Sequence, residues 1–256
     1  MKSKVALVTG ALGHLGKVIC NTLTELDYII IATDFLPDDS STSKFVENLK
    51  EGSLFINSNL SSDDSRIELV RRIQKNFSSI DLLVNNAAYT SSSTLDKWNV
   101  PFNQQSTNSW RNSLEVNLIA PFHLTQLCEL LLKTSADGAI INIGSIYGIA
   151  APKNEIYNGT DMNNIAAYAA GKAGLIQLTK WLASTLAPNI RVNSISLGGI
   201  ERSNQEPIFV LNYSNRTPLK RMGKEEDIIG VLTLFAGDDA RYITGQNIVI
   251  DGGWTL

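Results

Sequence analysis

The sequence has only two cysteines and two histidines in 256 residues. Cys20 and Cys128 fall in stretches of helical period and give no disulfide framework, so both are expected to be buried thiols. His14 and His123 sit in unrelated segments, and without clustered Cys or His spacing no metal is expected. No apolar run reaches the roughly 18 residues needed to cross a bilayer. No basic stretch leads into a short apolar core with a cleavage site, so the expectation is a cytoplasmic chain that engages no membrane. An excess of charge of one sign is also missing: 22 basic against 25 acidic residues leave a formal net charge of -3, too little to draw nucleic acid or an acidic surface. A small molecule is the expected partner. Without repeats, low-complexity tracts or a long linker, residues 1–256 read as one domain.

What is present is alternation. Short runs rich in β-branched residues stand at 4–9, 28–33, 53–57, 81–85, 139–144, 190–196 and 247–251. Between them lie segments of helical period near 15–26, 63–77, 107–133, 165–186 and 225–236. The runs are apolar throughout, as strands covered on both faces are. Such a chain makes an α/β fold, a parallel sheet with helices on each side in three layers. Two stretches, 91–106 and 201–221, read as irregular. The second follows the pair Gly198-Gly199, has only "IFVL" as a continuous apolar patch, and reads as a substrate lid.

The first strand-to-helix turn is "TGALGHLG", Thr9 to Gly16. In open parallel sheets ligands sit beyond the carboxyl ends of the strands, where a helix start offers free N–H groups to a pyrophosphate. Gly10 suits the tight turn, Gly13 lets the backbone approach the phosphates, and Gly16 lets the helix pack closely on the strand. Asp34 ends the second strand 24 residues after Gly10, where a carboxylate accepts hydrogen bonds from an adenosine ribose. It would repel a 2'-phosphate, and the following "FLPDDSS" has no Arg or Lys to attract one. NAD is therefore expected rather than NADP.

A second group of residues carries chemistry. Tyr168 and Lys172, in "YAAGK", are four apart and share one helix face. The ordinary phenol pKa, about 10, is too high for proton transfer near neutrality, and an adjacent ammonium stabilises the phenolate, so a downward shift is expected. Ser145 follows the fifth strand at the same sheet end as the glycine turn. Asn117 interrupts an otherwise apolar helix with an amide that needs partners. "NNAA", 85–88, ends the fourth strand beside the dinucleotide position.

In order, the glycine turn, "NNAA", "VN", the strand-end Ser145, Tyr-x-x-x-Lys and the terminal "ITGQNIVIDGGW" resemble the short-chain dehydrogenase/reductase family over essentially the whole chain. The resemblance implies a Rossmann-type, doubly wound sheet of seven parallel strands. It implies a nicotinamide-dependent oxidoreductase acting on a secondary alcohol or ketone. In that family the matching residues make Tyr168 the general acid/base and Lys172 the ligand of the nicotinamide ribose that lowers the tyrosine pKa. Ser145 orients the substrate oxygen, and Asn117 holds a water in a proton relay. Dinucleotide contacts are implied for Gly10, Gly13, Leu15, Gly16, Asp34, Asn59, Leu60, Asn86, Ala87, Ala88, Tyr168, Lys172 and Ile200. A homo-oligomer is implied as well, a tetramer in preference to a dimer.

Two departures from the family pattern bear on the substrate. The glycines at 10, 13 and 16 have the spacing of the extended members, many of which act on nucleotide sugars. In addition, Tyr168 stands 23 positions after Ser145, a longer interval than in short members, which places the polar "NEIYNGTDMN" beside the active site. Polar pockets suit hydroxyl-rich substrates. The chain stops soon after its seventh strand, without the C-terminal substrate domain of extended members. The combination is similar to short-chain oxidoreductases of bacterial surface-glycan pathways, including flagellin modification. A sugar or sugar derivative, in carbohydrate biosynthesis, is thus the expected substrate. The alternatives are a 3-oxoacyl or steroid-type carbonyl reductase and, from a different class, an NAD-binding regulator that has lost its chemistry.

Overall fold

Successive side chains of a strand point to opposite faces of its sheet, so a strand buried on both faces must divide its apolar residues between two cores. In the computed structural model, which describes residues 3–36, 42–90, 93 and 95–256, the sheet has seven parallel strands, and all but the last, whose Val249 is exposed, do this. The seven are β1 (Val5–Thr9), β2 (Ile29–Asp34), β3 (Leu54–Asn57), β4 (Leu82–Asn85), β5 (Gly138–Ser145), β6 (Ile190–Leu197) and β7 (Asn247–Ile250), in the spatial order β3-β2-β1-β4-β5-β6-β7. Ala6 and Val8 of β1 join one core, and Val5 and Leu7 the other. Leu82 and Val84 of β4 likewise oppose Leu83.

The first core is closed by α1 (His14–Glu25) and α8 (Ile229–Ala236), through Ile19 and Leu23 on one helix and Leu232 and Phe235 on the other. The second is closed by α3 (Asp63–Asn76), α5 (Ala120–Lys133) and α6 (Ala166–Leu186). The remaining helices are α2 (Thr42–Glu47), α4 (Thr107–Leu114) and α7 (Pro207–Arg216). Cys20 on α1 and Cys128 on α5 lie in opposite cores with the sheet between them, and burial pushes both thiols up to about 12. No described helix is long and apolar enough to cross a membrane.

The expected strands and long helices are present to within a residue or two, with four differences, the first being that the helix read at 225–236 opens with a 3-10 turn, Glu225–Ile228, before α8. The helix read at 107–133 is interrupted by one π turn at Glu115–Ile119. The stretch 201–221 contains α7, begun by Pro207, which is suited to a first helical position, and fixed by the buried Phe209 and Tyr213 four residues apart. The short α2 has no counterpart among the expected helices. In stretch 91–106, where 91, 92 and 94 lie outside the described residues, Trp98 is buried and donates its indole N–H to the Thr90 carbonyl at 2.7 Å.

The chain leaves β1 towards β2 and β3 and returns to the other side at β4. This reversal opens a crevice between the carboxyl ends of β1 and β4, the place where doubly wound sheets hold a ligand.

Candidate active site

The glycine turn borders that crevice. Gly10 has a φ of 62°, in the left-handed region, and a side chain there would meet the Ala87 backbone at 2.8 Å. A side chain at Gly16 would overlap the Gly10 carbonyl oxygen and come within 2.8 Å of Ala11 Cα. Gly13 differs. Its backbone is extended, and a Cβ would find only the Gly10 oxygen, at 3.3 Å. Gly13 is also the N-cap of α1, which has neither a side-chain cap nor an acidic residue in its first turn. An uncapped helix start with an open approach fits an anionic pyrophosphate. Leu15, in the first turn, packs against the α1 core and His14 is exposed.

Thr9 and Asn86 hold the turn in place. The Asn86 amide donates to the carbonyls of Thr9 and Gly10, each at 3.0 Å, while the backbone N–H groups of Asn86 and Ala87 donate to the Thr9 hydroxyl. Asn86, Ala87 and Ala88 are partly exposed along the same crevice.

At the far end, one Asp34 carboxylate oxygen accepts the Leu12 N–H at 2.9 Å and the other accepts the Phe35 N–H at 2.8 Å. Asp34 thus steadies the glycine turn, and its carboxylate keeps further lone pairs for a ribose. The stretch after it, 37–41, lies outside the described residues. A cleft of about 410 Å³ opens beside it, lined by Phe35, Asn57, Ser58 and Asn59 and, from α3, by Asp64, Glu68 and Arg72. Asn59 itself accepts from the Ser61 N–H and hydroxyl, and the Leu60 side chain is buried in the core. Leu60 contributes its carbonyl to the fully buried Arg66 of α3, which also donates to His123 Nδ1 at 3.0 Å and pairs with Asp63 and, at 2.8 Å, with Glu115 of the π turn.

The structure brings the four expected catalytic residues to the carboxyl ends of β4 and β5. Ser145, the last residue of β5, accepts the Tyr147 N–H at 3.2 Å, and its hydroxyl is close enough to Tyr168 to favour the phenolate. Lys172, buried one turn along α6, donates to the Ile143 carbonyl at 2.6 Å and stands 5.8 Å from the Tyr168 ring centroid. Asn117, in the π turn, accepts the Tyr89 N–H at 2.7 Å and donates to the Tyr89 carbonyl at 3.1 Å. Ile200 lies beyond β6, bridged to Gly223.

The expected lowering of the phenol pKa is not what the protein alone provides. Burial holds Tyr168 above its ordinary value, and the nearby Ser145 hydroxyl opposes this only in part. Burial also lowers the Lys172 ammonium to about 8. Between about 8 and 10.5 the unfolded chain therefore holds a proton that the folded one has released, so stability contributed at this position rises with pH. The melting temperature of the wild type minus that of Lys172→Met should increase across this window; a flat difference would contradict the burial of a titrating ammonium.

Three segments wall the site. Trp98 packs with Ile165, Ala167 and Tyr168 at the start of α6. The segment before α6 is tied to the 95–106 stretch by Asn163 N–H to Asn99 and by Gln105 to the Asn164 carbonyl. It is tied to α7 by Asn212, which donates to the carbonyls of Ile156 and Asn158. Sequence reasoning missed Trp98, Tyr147 and Tyr157; the clustering of Tyr and Trp around the inserted segment was the available signal.

The switch-point crevice and the Ser-Tyr-Lys group define an α/β dinucleotide-binding oxidoreductase. A family profile described as enoyl-(acyl carrier protein) reductase matches residues 10–255. The chain is 32% identical over 259 residues to post-translational flagellin modification protein A of Campylobacter coli, covering 100% of both chains. It is 32% identical over 261 residues to the 3-oxoacyl-(acyl-carrier-protein) reductase FabG of Thermotoga maritima, covering 100% of this chain and 99% of the other. Among solved structures, a short-chain dehydrogenase from Leptospira borgpetersenii with bound NAD+ superposes with a TM-score of 0.84 at 31% identity, covering 100% of this chain and 94% of that one. The Pseudomonas aeruginosa RhlG/NADP active-site complex gives 0.85 at 27%, covering 99% and 96%. The chain belongs to the short-chain dehydrogenase/reductase family.

Proposed function

We propose that this oxidoreductase uses NAD in preference to NADP and interconverts a secondary alcohol and a ketone on a sugar or sugar derivative. The observation that carries the chemistry is the meeting of Ser145, at the end of β5, with Tyr168 and the buried Lys172, whose ammonium stands 5.8 Å from the Tyr168 ring centroid. A nicotinamide bound at the switch point supplies or receives the hydride. Ser145 orients the substrate oxygen, and Tyr168 gives or takes the proton on that oxygen. Lys172 keeps two N–H donors beyond its bond to Ile143, which suit a ribose hydroxyl pair and bring positive charge towards the phenol. The π turn relaxes the helical hydrogen-bond ladder at Asn117, freeing backbone there to hold a water for proton exchange.

Asp34 supports NAD by its charge at the end of β2, and the polar segment 154–163 before α6 supports the sugar. The likeness to FabG supports a second reading, reduction of a 3-oxoacyl thioester. Phe122 and Leu130 on α5 and Trp181 on α6 are exposed, and β7 is the open edge of the sheet, which supports a homotetramer closed over these faces. The segment 201–221 acts as the lid, with α7 as its rigid part.

Steady-state rates with NADH and NADPH, each against polyhydroxy ketones and a 3-oxoacyl thioester, test both choices. NADH should be at least about tenfold more efficient, equivalent to about 1.4 kcal/mol of discrimination. A preference for NADPH would refute the role given to Asp34, and a preference for the thioester would refute the sugar.

A further inference from the structure

The interval that lengthens the chain between Ser145 and Tyr168 delivers a second pair of hydroxyls to the site. Tyr157 ends the short turn Asn154–Tyr157, and its hydroxyl lies 2.7 Å from that of Tyr147. Tyr147 is held from below, because its backbone N–H donates to the Ser145 hydroxyl oxygen at 3.2 Å. Tyr157 is held from above by stacking on Phe209 of α7, with ring centroids 5.8 Å apart. Both stand near enough to Tyr168 that ionising one phenol opposes ionising another.

Burial pushes both phenols up, so they remain neutral donors. Each carries one O–H, and the bond between them uses only one of the two. Among the described residues neither hydroxyl has a further partner, which leaves one donor and its lone pairs unused. The surroundings are apolar and aromatic: Ile156, Phe209, Tyr213, Met222 and Trp254. Within that cluster Trp254 Nε1 is buried and has no hydrogen-bond partner among the described residues. Tyr147 and Tyr157 are both partly exposed, so their idle donor stands beside the reacting groups where an oxygen from outside the chain can reach it.

We propose that the Tyr147–Tyr157 hydroxyl pair is the substrate-positioning element of this site, holding a second oxygen of a polyhydroxylated substrate while Ser145 and Tyr168 hold the reacting one. This rests on the oxidoreductase reading above and narrows its substrate class. A substrate with a single oxygen leaves the pair unmatched, so the pair selects against simple ketones.

The test compares two ketones of one ring, pentahydroxycyclohexanone and cyclohexanone, with NADH, in the wild type, Tyr147→Phe, Tyr157→Phe and the double variant. The wild type should favour the hydroxylated ring in kcat/KM. Each single variant should reduce that preference about tenfold, the scale of one lost hydrogen bond. The double variant should lose no more than either single, because the two hydroxyls act as one unit. NADH binding followed by fluorescence should be unchanged in all three, which verifies folding. An unchanged preference, or equal loss on both rings, would overturn the positioning role. If the wild type reduces cyclohexanone but not its pentahydroxy form, the inference fails while the oxidoreductase reading stands; turnover of neither ring with either dinucleotide removes both.

Discussion

Replacing Tyr168 by phenylalanine is expected to lower kcat by about 10²–10⁴-fold, the usual contribution of a positioned general acid or base, with NADH affinity little changed. The substitution removes one oxygen from a residue whose ring packs with Trp98, Ile165 and Ala167, so the wall of the site should remain. The loss should fall on kcat, because the proton moves only in the transition state. Since burial favours the protonated phenol, the protein alone is poised to donate, and ketone reduction at neutral pH is the reaction in which to measure the loss. Steady-state kinetics with a fluorescence titration of NADH checks both halves. Turnover within about a factor of ten of the wild type would place the proton on another group.

The second large effect is expected at Gly16. An alanine methyl there would occupy the space of the Gly10 carbonyl oxygen and press on Ala11, both backbone, so α1 must lift away from β1. Overpacking of this kind costs about 1–3 kcal/mol, which lowers the melting temperature by about 2–12 °C in a domain of this size. The lifted helix also withdraws its N–H groups from the crevice, so NADH affinity should fall by at least about tenfold, or about 1.4 kcal/mol. Gly13→Ala supplies the contrast. With ordinary backbone angles and one contact at 3.3 Å, it should fold nearly as well as the wild type and lose dinucleotide affinity alone. Equal melting losses in the two variants would refute this division between packing and ligand approach.

The parallel core was legible because its strands are apolar without alternation and its long helices carry a steady period. The family motif also brought Ser145, Tyr168 and Lys172 together correctly, since strand ends and helix turns fix their positions. The π turn was not legible. "EVNLI" has helical composition, and only the pairing of Asn117 with Tyr89 and of Glu115 with Arg66 accompanies the break in the ladder. Helix α7 was hidden for a related reason: its buried face consists of Phe209 and Tyr213, aromatic residues whose partners, Tyr157 and Trp254, come from distant parts of the chain. Asp34 showed its charge in the sequence but not its bond to Leu12, which depends on how closely the glycine turn folds back.

Arg66 sets a rule for how this chain can change over time. Its guanidinium is sealed from water, and Glu115, one of its two acidic partners, belongs to the π turn rather than to its own helix. Losing Glu115 alone leaves the buried guanidinium with Asp63, a mostly exposed carboxylate, and losing Arg66 alone leaves the partly exposed Glu115 without its cation; an uncompensated charge costs about 3–5 kcal/mol where it is fully buried. Replacing both with apolar residues of similar volume need cost little. Change at 66 and 115 is therefore linked in inheritance, and descendants that lose the buried cation are expected to lose Glu115 with it.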